Sequence, residues 1–293
     1  MLSYTLENNK YKTVKDVLSN EFNISNRLLI KLKKNKRIYL NGSETYVNHE
    51  VKLKDKIEVN IDFDEESDNI VPTQMDLDIL YEDDYLLIIN KNPGLPVHPS
   101  ILHFEDSLSN GVKYYFEENN IKRLIRPVNR LDKDTSGIVI FAKNEYIQEC
   151  LVKQMKSNSF KKEYVAILEG HLENVKGTIN KPISRKEGSI IEREINKDGE
   201  NAITHFELIK NFEKDNIKLS YVKFILETGR THQIRVHSKA IGHPILGDTL
   251  YGSKSNLISR QALHAYKISF IHPITKSNIE IISDIPKDIN NLI

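Results

Sequence analysis

A single cysteine, Cys150, in 293 residues excludes an intramolecular disulfide and any zinc site built from paired cysteines. It falls in the apolar stripe Ile147, Cys150, Leu151 and Met155 of an expected helix, where packing is its role. No run approaches the ~18 continuous apolar residues of a membrane span. The opening stretch, MLSYTLENNKYK, lacks the basic, apolar and small-residue series of a secretory leader, so a cytoplasmic location is expected. An excess of one charge is missing too: 42 Lys and Arg face 41 Asp and Glu, and the total describes no globally basic nucleic-acid binder. There is no internal repeat and no long low-complexity tract. Walker, dinucleotide-fingerprint, HExxH and GxSxG motifs are all absent, so phosphoryl transfer, hydride transfer and serine acylation lack their usual parts.

What the total charge hides, its distribution shows. RLLIKLKKNKR, from Arg27 to Arg37, holds six cations and no acid, and KRLIRPVNRLDK, from Lys122 to Lys133, holds five cations and one acid, Asp132. The acidic run DFDEESD at 62–68 has little apolar content and ends at Val71-Pro72, the composition of a solvated linker. This divides the chain into a small domain at 1–62, a linker at 63–72 and a larger domain at 73–293. In the small domain, Thr13 and Asp16 have capping-box spacing ahead of an amphipathic helix. A second helix after Ser25 turns Leu28, Leu29 and Leu32 inward, leaves Arg27, Lys31, Lys33 and Lys34 mostly exposed, and ends in a left-handed residue near Asn35. Strands near 37–40 and 56–61 flank the turn Asn41-Gly42. Beyond the linker, strands are expected at 77–81, 85–90, 138–142, 162–168 and 217–227. Helices are expected at 144–157 and from Thr231 to Ile241, the latter stopped by Gly242 and Pro244. Strands without a βαβ rhythm predict an α+β fold with a mixed, largely antiparallel sheet.

Three segments carry polar residues that a packed core does not need. NRLDKDTSG, 129–137, is a charged loop that dives into an apolar strand, which holds Asp132 at a sheet edge as a candidate carboxylate; a plain surface turn is the bland alternative. In GRTHQIRVH, 229–237, Thr231 reads as a helix N-cap. Arg230 then lies at a strand-to-helix corner, where its guanidinium can pair with a carboxylate; the bland alternative is that His232, Arg235 and His237 decorate a solvated helix face, and it is the favoured reading for the two histidines. The two histidines are not at the spacing of a helical metal pair, so no metal site is expected. In FKKEYVA, 160–166, Lys162 and Tyr164 share one face of a strand, and a tyrosine facing a basic cleft suits stacking on an unpaired base.

Together these segments resemble the RluA family of pseudouridine synthases, preceded by an S4-type RNA-binding domain. The likeness spans nearly the whole chain: ISNRLLIKLKKNKRIYLNG in the S4-like part, then ILYEDDYLLIINKNPGLPVHPS, RPVNRLDKDTSGIVIFAK, KKEYVAILEG, GENAITHFEL, ETGRTHQIRVHSKAIGHPILGDTLYG and ALHAYKISFIHP. The resemblance implies that Asp132 is the catalytic aspartate, that Tyr164 lies against the uracil ring and that Arg230 pairs with the aspartate. It further implies that Arg130 helps displace the target base, that Leu263 lines the uracil pocket and that Lys162 is the basic member of a KxY motif. Asn129 stands where many relatives have histidine, and Asn92 interrupts the usual Lys-Pro.

The chemistry agrees. Breaking the N1–C1′ bond, turning the captive uracil and rejoining it through C5 needs an anion able to attack C1′ or abstract a ribose proton, and Asp132 can do either. A guanidinium keeps such an enclosed aspartate ionised. Tyr164 is a candidate for stacking and for removing the C5 proton. Arg130 is a candidate wedge beside phosphate-binding Arg123, Arg126 and Lys133, with Arg27, Lys31, Lys33 and Lys34 as a second RNA-binding set. No redox cofactor, metal or ATP is required. Ribosomal RNA of the large subunit is the first expected substrate and transfer RNA the second, the chain acting as a monomer. A non-catalytic RNA-binding or ribosome-assembly factor is the principal rival. A carboxylate glycosidase is a second, for which Asp134, expected to face solvent, would be the other acid.

Overall fold

The computed structural model describes residues 1–65, 69–157 and 159–293. Local chemistry places the first elements. After β1 (Leu2–Thr5), Thr13 Oγ1 accepts from the Asp16 N–H at 3.3 Å while Asp16 Oδ2 accepts from the Thr13 N–H at 2.9 Å, and this capping box starts α1 (Val14–Asn20). Ser25 caps α2 (Asn26–Lys34), but the left-handed residue after it is Lys36, with φ 54°, rather than Asn35. Asn41 and Gly42, both at positive φ, make the tight turn between β2 (Ile38–Leu40) and β3 (Ser43–Glu44). With β4 (Lys56–Val59) these strands form a sheet in the order β1-β4-β2-β3.

The second sheet is larger. It draws on β5 (Asp78–Glu82), β6 (Leu86–Lys91), β7 (Ser136–Ala142), β8 (Lys161–Glu169) and β9 (Lys176–Asn180). A separate two-stranded arm, β10 (Ile183–Arg185) and β11 (Arg193–Ile195), follows before the chain returns with β12 (Ile203–Lys214), β13 (Ile217–Leu226), β14 (Leu263–Ile271) and β15 (Asn278–Ile282). The order is β5-β6-β7-β14-β8-β13-β12-β9, with β15 on β14, and the β7–β14 pair is parallel while the others are antiparallel. This is the mixed, largely antiparallel α+β fold that the strand spacing predicts. Helices α3 (Leu108–Glu118), α4 (Glu145–Lys156), α5 (Gln233–Ala240) and α6 (Lys287–Asn290) complete it.

The N-terminal elements share a core with the large sheet. Val17, Leu18, Leu28 and Leu32 pack in one cluster with Leu86, Ile138, Ile140, Ile147, Leu151 and Phe270, and Cys150 packs against it. Polar contacts reinforce the junction: Arg27 and Lys31 both pair with Glu145 of α4, and Ser25 Oγ donates to Glu149 at 2.6 Å. Arg27 and Lys31 are therefore engaged within the protein, while Lys33 and Lys34 stay exposed.

Two expectations near the linker need correction. The Glu65 side chain is about nine-tenths buried and takes both arms of the Arg126 guanidinium at 2.6 Å. Arg123 is tied to Asp62 and to the Phe63 carbonyl. Phe63 and the Glu65 side chain are thus packed while Asp62 and Asp64 stay exposed, and the two arginines assigned to phosphate instead pair with this acidic stretch; at Glu65 the carboxylate leaves water and needs a cation. Residues 66–68 of the expected linker lie outside the described residues. No helix among the described residues is long and apolar enough to cross a membrane.

Candidate active site

Asp132 sits in the loop that feeds β7, and three buried side chains pin that loop. Lys91 Nζ donates to the Lys133 carbonyl at 2.8 Å, and also to those of Asn92 and Leu95. Arg260 reaches the Asp134 carbonyl at 3.0 Å, and Gln261 donates to Thr135 Oγ1 at 3.2 Å. Burial pushes the Lys91 ammonium down to about 7, against the charges of Asp134 and Asp132, while its three carbonyl acceptors match the three N–H of the charged form. Asp134 is half-buried rather than solvent-facing, and its charge acts on Lys91. Asn129, on the same loop, donates to the Ile138 carbonyl and accepts from the Ile140 N–H, both at 2.9 Å, so its amide acts as a strand residue along the edge of β7.

The guanidinium that meets the aspartate belongs to Arg235, not Arg230. Arg235 Nη1 donates to Asp132 Oδ2 at 3.1 Å, while its Nε and Nη2 hold the fully buried Asp248 at 2.7 and 2.8 Å. Burial pulls the Arg235 pKa down, but the two carboxylates more than restore it and leave it above its ordinary value. Arg230 turns outward to Glu200 and the Asn201 carbonyl. The phase of α5 explains the exchange. His232, at φ 58°, is the residue before the helix, and Thr231 is no cap. The Gln233 side chain instead ties the helix start to the preceding turn and to β12, accepting from the Arg230 N–H and Thr228 Oγ1 and donating to Ile203 O and Thr204 Oγ1.

The helix face expected to be solvated is largely buried. His237 is fully enclosed between Thr204 and the Lys181 carbonyl, and His232 Nε2 lies 3.8 Å from Asp132 Oδ2. Sequence reasoning missed Arg235, His232, Asp248 and Tyr251 as site residues. The last two lie in GDTLYG, 247–252, where one acid beside one tyrosine was the available signal.

Asp132 and Tyr164 line a cavity of about 770 Å³ together with Arg130, Lys162, Arg230 and Leu263, so the structure brings these six expected site residues to one place. Tyr164 is on β8, and burial, aided by the Asp132 charge, holds its hydroxyl well above the ordinary range. It is therefore a phenol at neutral pH, suited to contact with a base and poorly suited to taking a proton directly. Lys162 lies on the same strand, and burial lowers its pKa; among the described residues no carboxylate pairs with it. Arg130 is exposed at the cavity wall, and Lys133, also exposed, meets His103 at 3.1 Å.

Residues 85–240 match the model of the RNA pseudouridylate synthase family. The chain is 41% identical over 260 residues to the uncharacterized RNA pseudouridine synthase YhcT of Bacillus subtilis, an alignment covering 87% of this chain and 85% of that one. Over 275 residues it is 35% identical to ribosomal large subunit pseudouridine synthase D of Buchnera aphidicola, with 87% and 84% covered. Among solved structures, human RNA Pseudouridylate Synthase Domain Containing 1 superposes with a TM-score of 0.60 at 25% identity, across 71% of this chain and 83% of that one. On these matches the chain belongs to the RluA-type family of RNA pseudouridine synthases, isomerases that act on RNA.

Proposed function

We propose that this isomerase converts uridine to pseudouridine in ribosomal RNA of the large subunit, with Asp132 as the catalytic carboxylate. The carrying observation is the setting of Asp132: a carboxylate 25% exposed to the cavity, held by a guanidinium on one oxygen, within the same walls as Tyr164 and Leu263. A uridine drawn out of its stack costs a few kcal/mol to extrude. Exposed Arg130 can fill the gap, Tyr164 can lie against the uracil, and the ammonium of Lys162, which pairs with no carboxylate among the described residues, can meet a phosphate or a uracil oxygen. Asp132 then either attacks C1′, expelling the uracil through N1, or removes the C2′ proton so that uracil leaves a glycal. In the first route the turned uracil bonds to C1′ through C5 and displaces the Asp132 oxygen from it; in the second, C5 bonds to C1′ of the glycal as Asp132 returns the proton to C2′. Because Tyr164 remains a phenol, the C5 proton is lost through water or to the Asp132 carboxylate.

The ribosomal substrate is supported by the large-subunit synthase relatives, one of which aligns over 87% of this chain. Residues 1–62 serve in this reading as an S4-like RNA-binding domain ahead of a catalytic domain at 73–293, with exposed Lys33 and Lys34 on α2 as its phosphate contacts. The enzyme works in the cytoplasm as a monomer. The test is tritium release from C5-labelled uridine in RNA of cells lacking the protein. Wild type is expected to release tritium and to restore pseudouridines in the large-subunit RNA, whereas Asp132→Asn binds RNA and releases none. Wild-type turnover by Asp132→Asn rejects the assignment, pseudouridine restored only in transfer RNA rejects the substrate, and no release from any RNA favours a binding factor.

A further inference from the structure

The two donors that face Asp132 share one neighbour. Tyr251 is buried, and its ring lies 5.1 Å from the Arg235 guanidinium carbon. Its hydroxyl is 2.8 Å from His232 Nδ1. The turn carrying it is fixed by Asp248, whose Oδ1 accepts from the N–H groups of Leu250 and Tyr251 at 3.1 Å while the same carboxylate grips Arg235. A single tyrosine and the acid beneath it therefore connect the guanidinium and the imidazole.

The proton positions follow from counting donors. The Tyr251 oxygen already accepts the Arg193 backbone N–H at 2.7 Å. Burial keeps the phenol above its ordinary pKa, so it retains one proton, and among the described residues His232 Nδ1 is the one atom placed within hydrogen-bonding reach to accept it. Nδ1 must then be unprotonated, and a neutral His232 carries its hydrogen on Nε2. That nitrogen is the one 3.8 Å from Asp132 Oδ2. Burial lowers the His232 pKa; Arg235 and Arg193 act in the same direction, while Asp132 and Asp248 oppose, so the neutral form is favoured. His232 also sits at φ 58°, a left-handed conformation that is unusual for a residue with a side chain and recurs at functional sites.

Arg235 and His232 both approach Oδ2, and among the described residues no donor reaches Oδ1. From this geometry we infer that Tyr251 is a positioning residue for the reaction: its ring carries Arg235 and its hydroxyl fixes the Nε2–H form of His232, so that Oδ2 is held and Oδ1 is the oxygen that meets the ribose. The inference rests on the reading of Asp132 as the catalytic carboxylate. It applies equally to attack at C1′ and to removal of the C2′ proton, since either needs one unencumbered oxygen at a set angle. A misplacement of that oxygen by about 1 Å costs about 100-fold in rate.

The test uses the full-length protein and C5-tritiated total RNA from cells lacking it, with single-turnover release and RNA retention on filters measured in parallel. Nitrogen NMR of the labelled imidazole is expected to show His232 protonated on Nε2 near neutral pH, and Tyr251→Phe to lose that preference. Tyr251→Phe, which keeps the ring, and His232→Leu each slow release by about 10- to 100-fold with RNA affinity unchanged. His232→Gln, whose amide N–H can stand in for Nε2–H, recovers most of the rate. The double variant Tyr251→Phe/His232→Leu is no slower than the slower single one, as expected of residues acting as a unit. A neutral His232 protonated on Nδ1 overturns the inference. So do wild-type rates in both Tyr251→Phe and His232→Leu while Asp132→Asn is inactive. Normal turnover by Asp132→Asn overturns the parent reading and this one together.

Discussion

Arg235 reaches Asp132 Oδ2 at 3.1 Å with the one guanidinium nitrogen that its pair with Asp248 leaves free. The planar fork does two jobs that a point charge cannot do together: two of its nitrogens satisfy a fully buried carboxylate and the third orients a partly exposed one. Arg235→Lys is expected to lose roughly 100-fold in tritium release, equivalent to about 2–3 kcal/mol, as the charge is pulled toward Asp248. Arg230→Lys disturbs a pair with Glu200 that is largely exposed and worth at most about 1 kcal/mol. Its loss is therefore expected to be at least about tenfold smaller than that of Arg235→Lys. Equal losses in the two variants, with thermal unfolding measured alongside, would contradict the pairing.

That exchange of arginines shows where the sequence stops being readable. Residue type and spacing locate Asp132, Tyr164 and Lys162 on strands and loops whose periodicity is simple, Leu263 is reached only through the family resemblance, and the Thr13 capping box and the Asn41-Gly42 turn are local chemistry visible in a few letters. The direction of a side chain on α5 depends instead on where the helix begins. Thr231 looks like the cap, but a left-handed His232 delays the start to Gln233 and rotates Arg235 into the cavity. Helix α3, LSNGVKYYFEE, is not among the expected helices; an added Cβ at its Gly111 would stand 2.3 Å from Met75 Cγ, so the glycine marks a close approach to a residue far away in the chain. Arg126 shows the third limit. Its partner Glu65 is 61 residues away in the chain, and no local pattern announces that pairing.

His264, fully buried on β14 with Nδ1 3.0 Å from Ser136 Oγ, predicts a specific acid sensitivity. Burial pushes its pKa down to about 4. The unfolded chain, with an ordinary histidine, binds the proton first, so this contribution to stability is complete above about pH 6.5 and is lost as pH falls toward 4. The size is about 3 kcal/mol. Urea unfolding at pH 7 and at pH 4.5 is expected to show a smaller drop for His264→Gln than for wild type, the carboxylates being common to both. An identical drop would mean that His264 is protonated without cost in the folded state.

The cations read from sequence as RNA-binding separate in the structure into two groups that substitution can tell apart. Arg126 and Glu65 are each about nine-tenths buried and bonded in a fork, so Arg126→Ala strands a carboxylate away from water and is expected to cost about 3–5 kcal/mol of stability. Lys33 and Lys34 are exposed at the end of α2, and among the described residues neither has an ion-pair partner. Each phosphate they contact contributes close to one unit to the slope of log affinity against log salt, so Lys33→Gln/Lys34→Gln is expected to lower that slope by up to about 2. The double variant should unfold at the wild-type temperature and, on RNA it does bind, react at the wild-type single-turnover rate. Filter binding across a salt series, with a thermal melt of each variant, decides the matter. A melting temperature insensitive to Arg126→Ala would free that arginine for RNA, and an unchanged salt slope for the lysine pair would remove α2 from the RNA path.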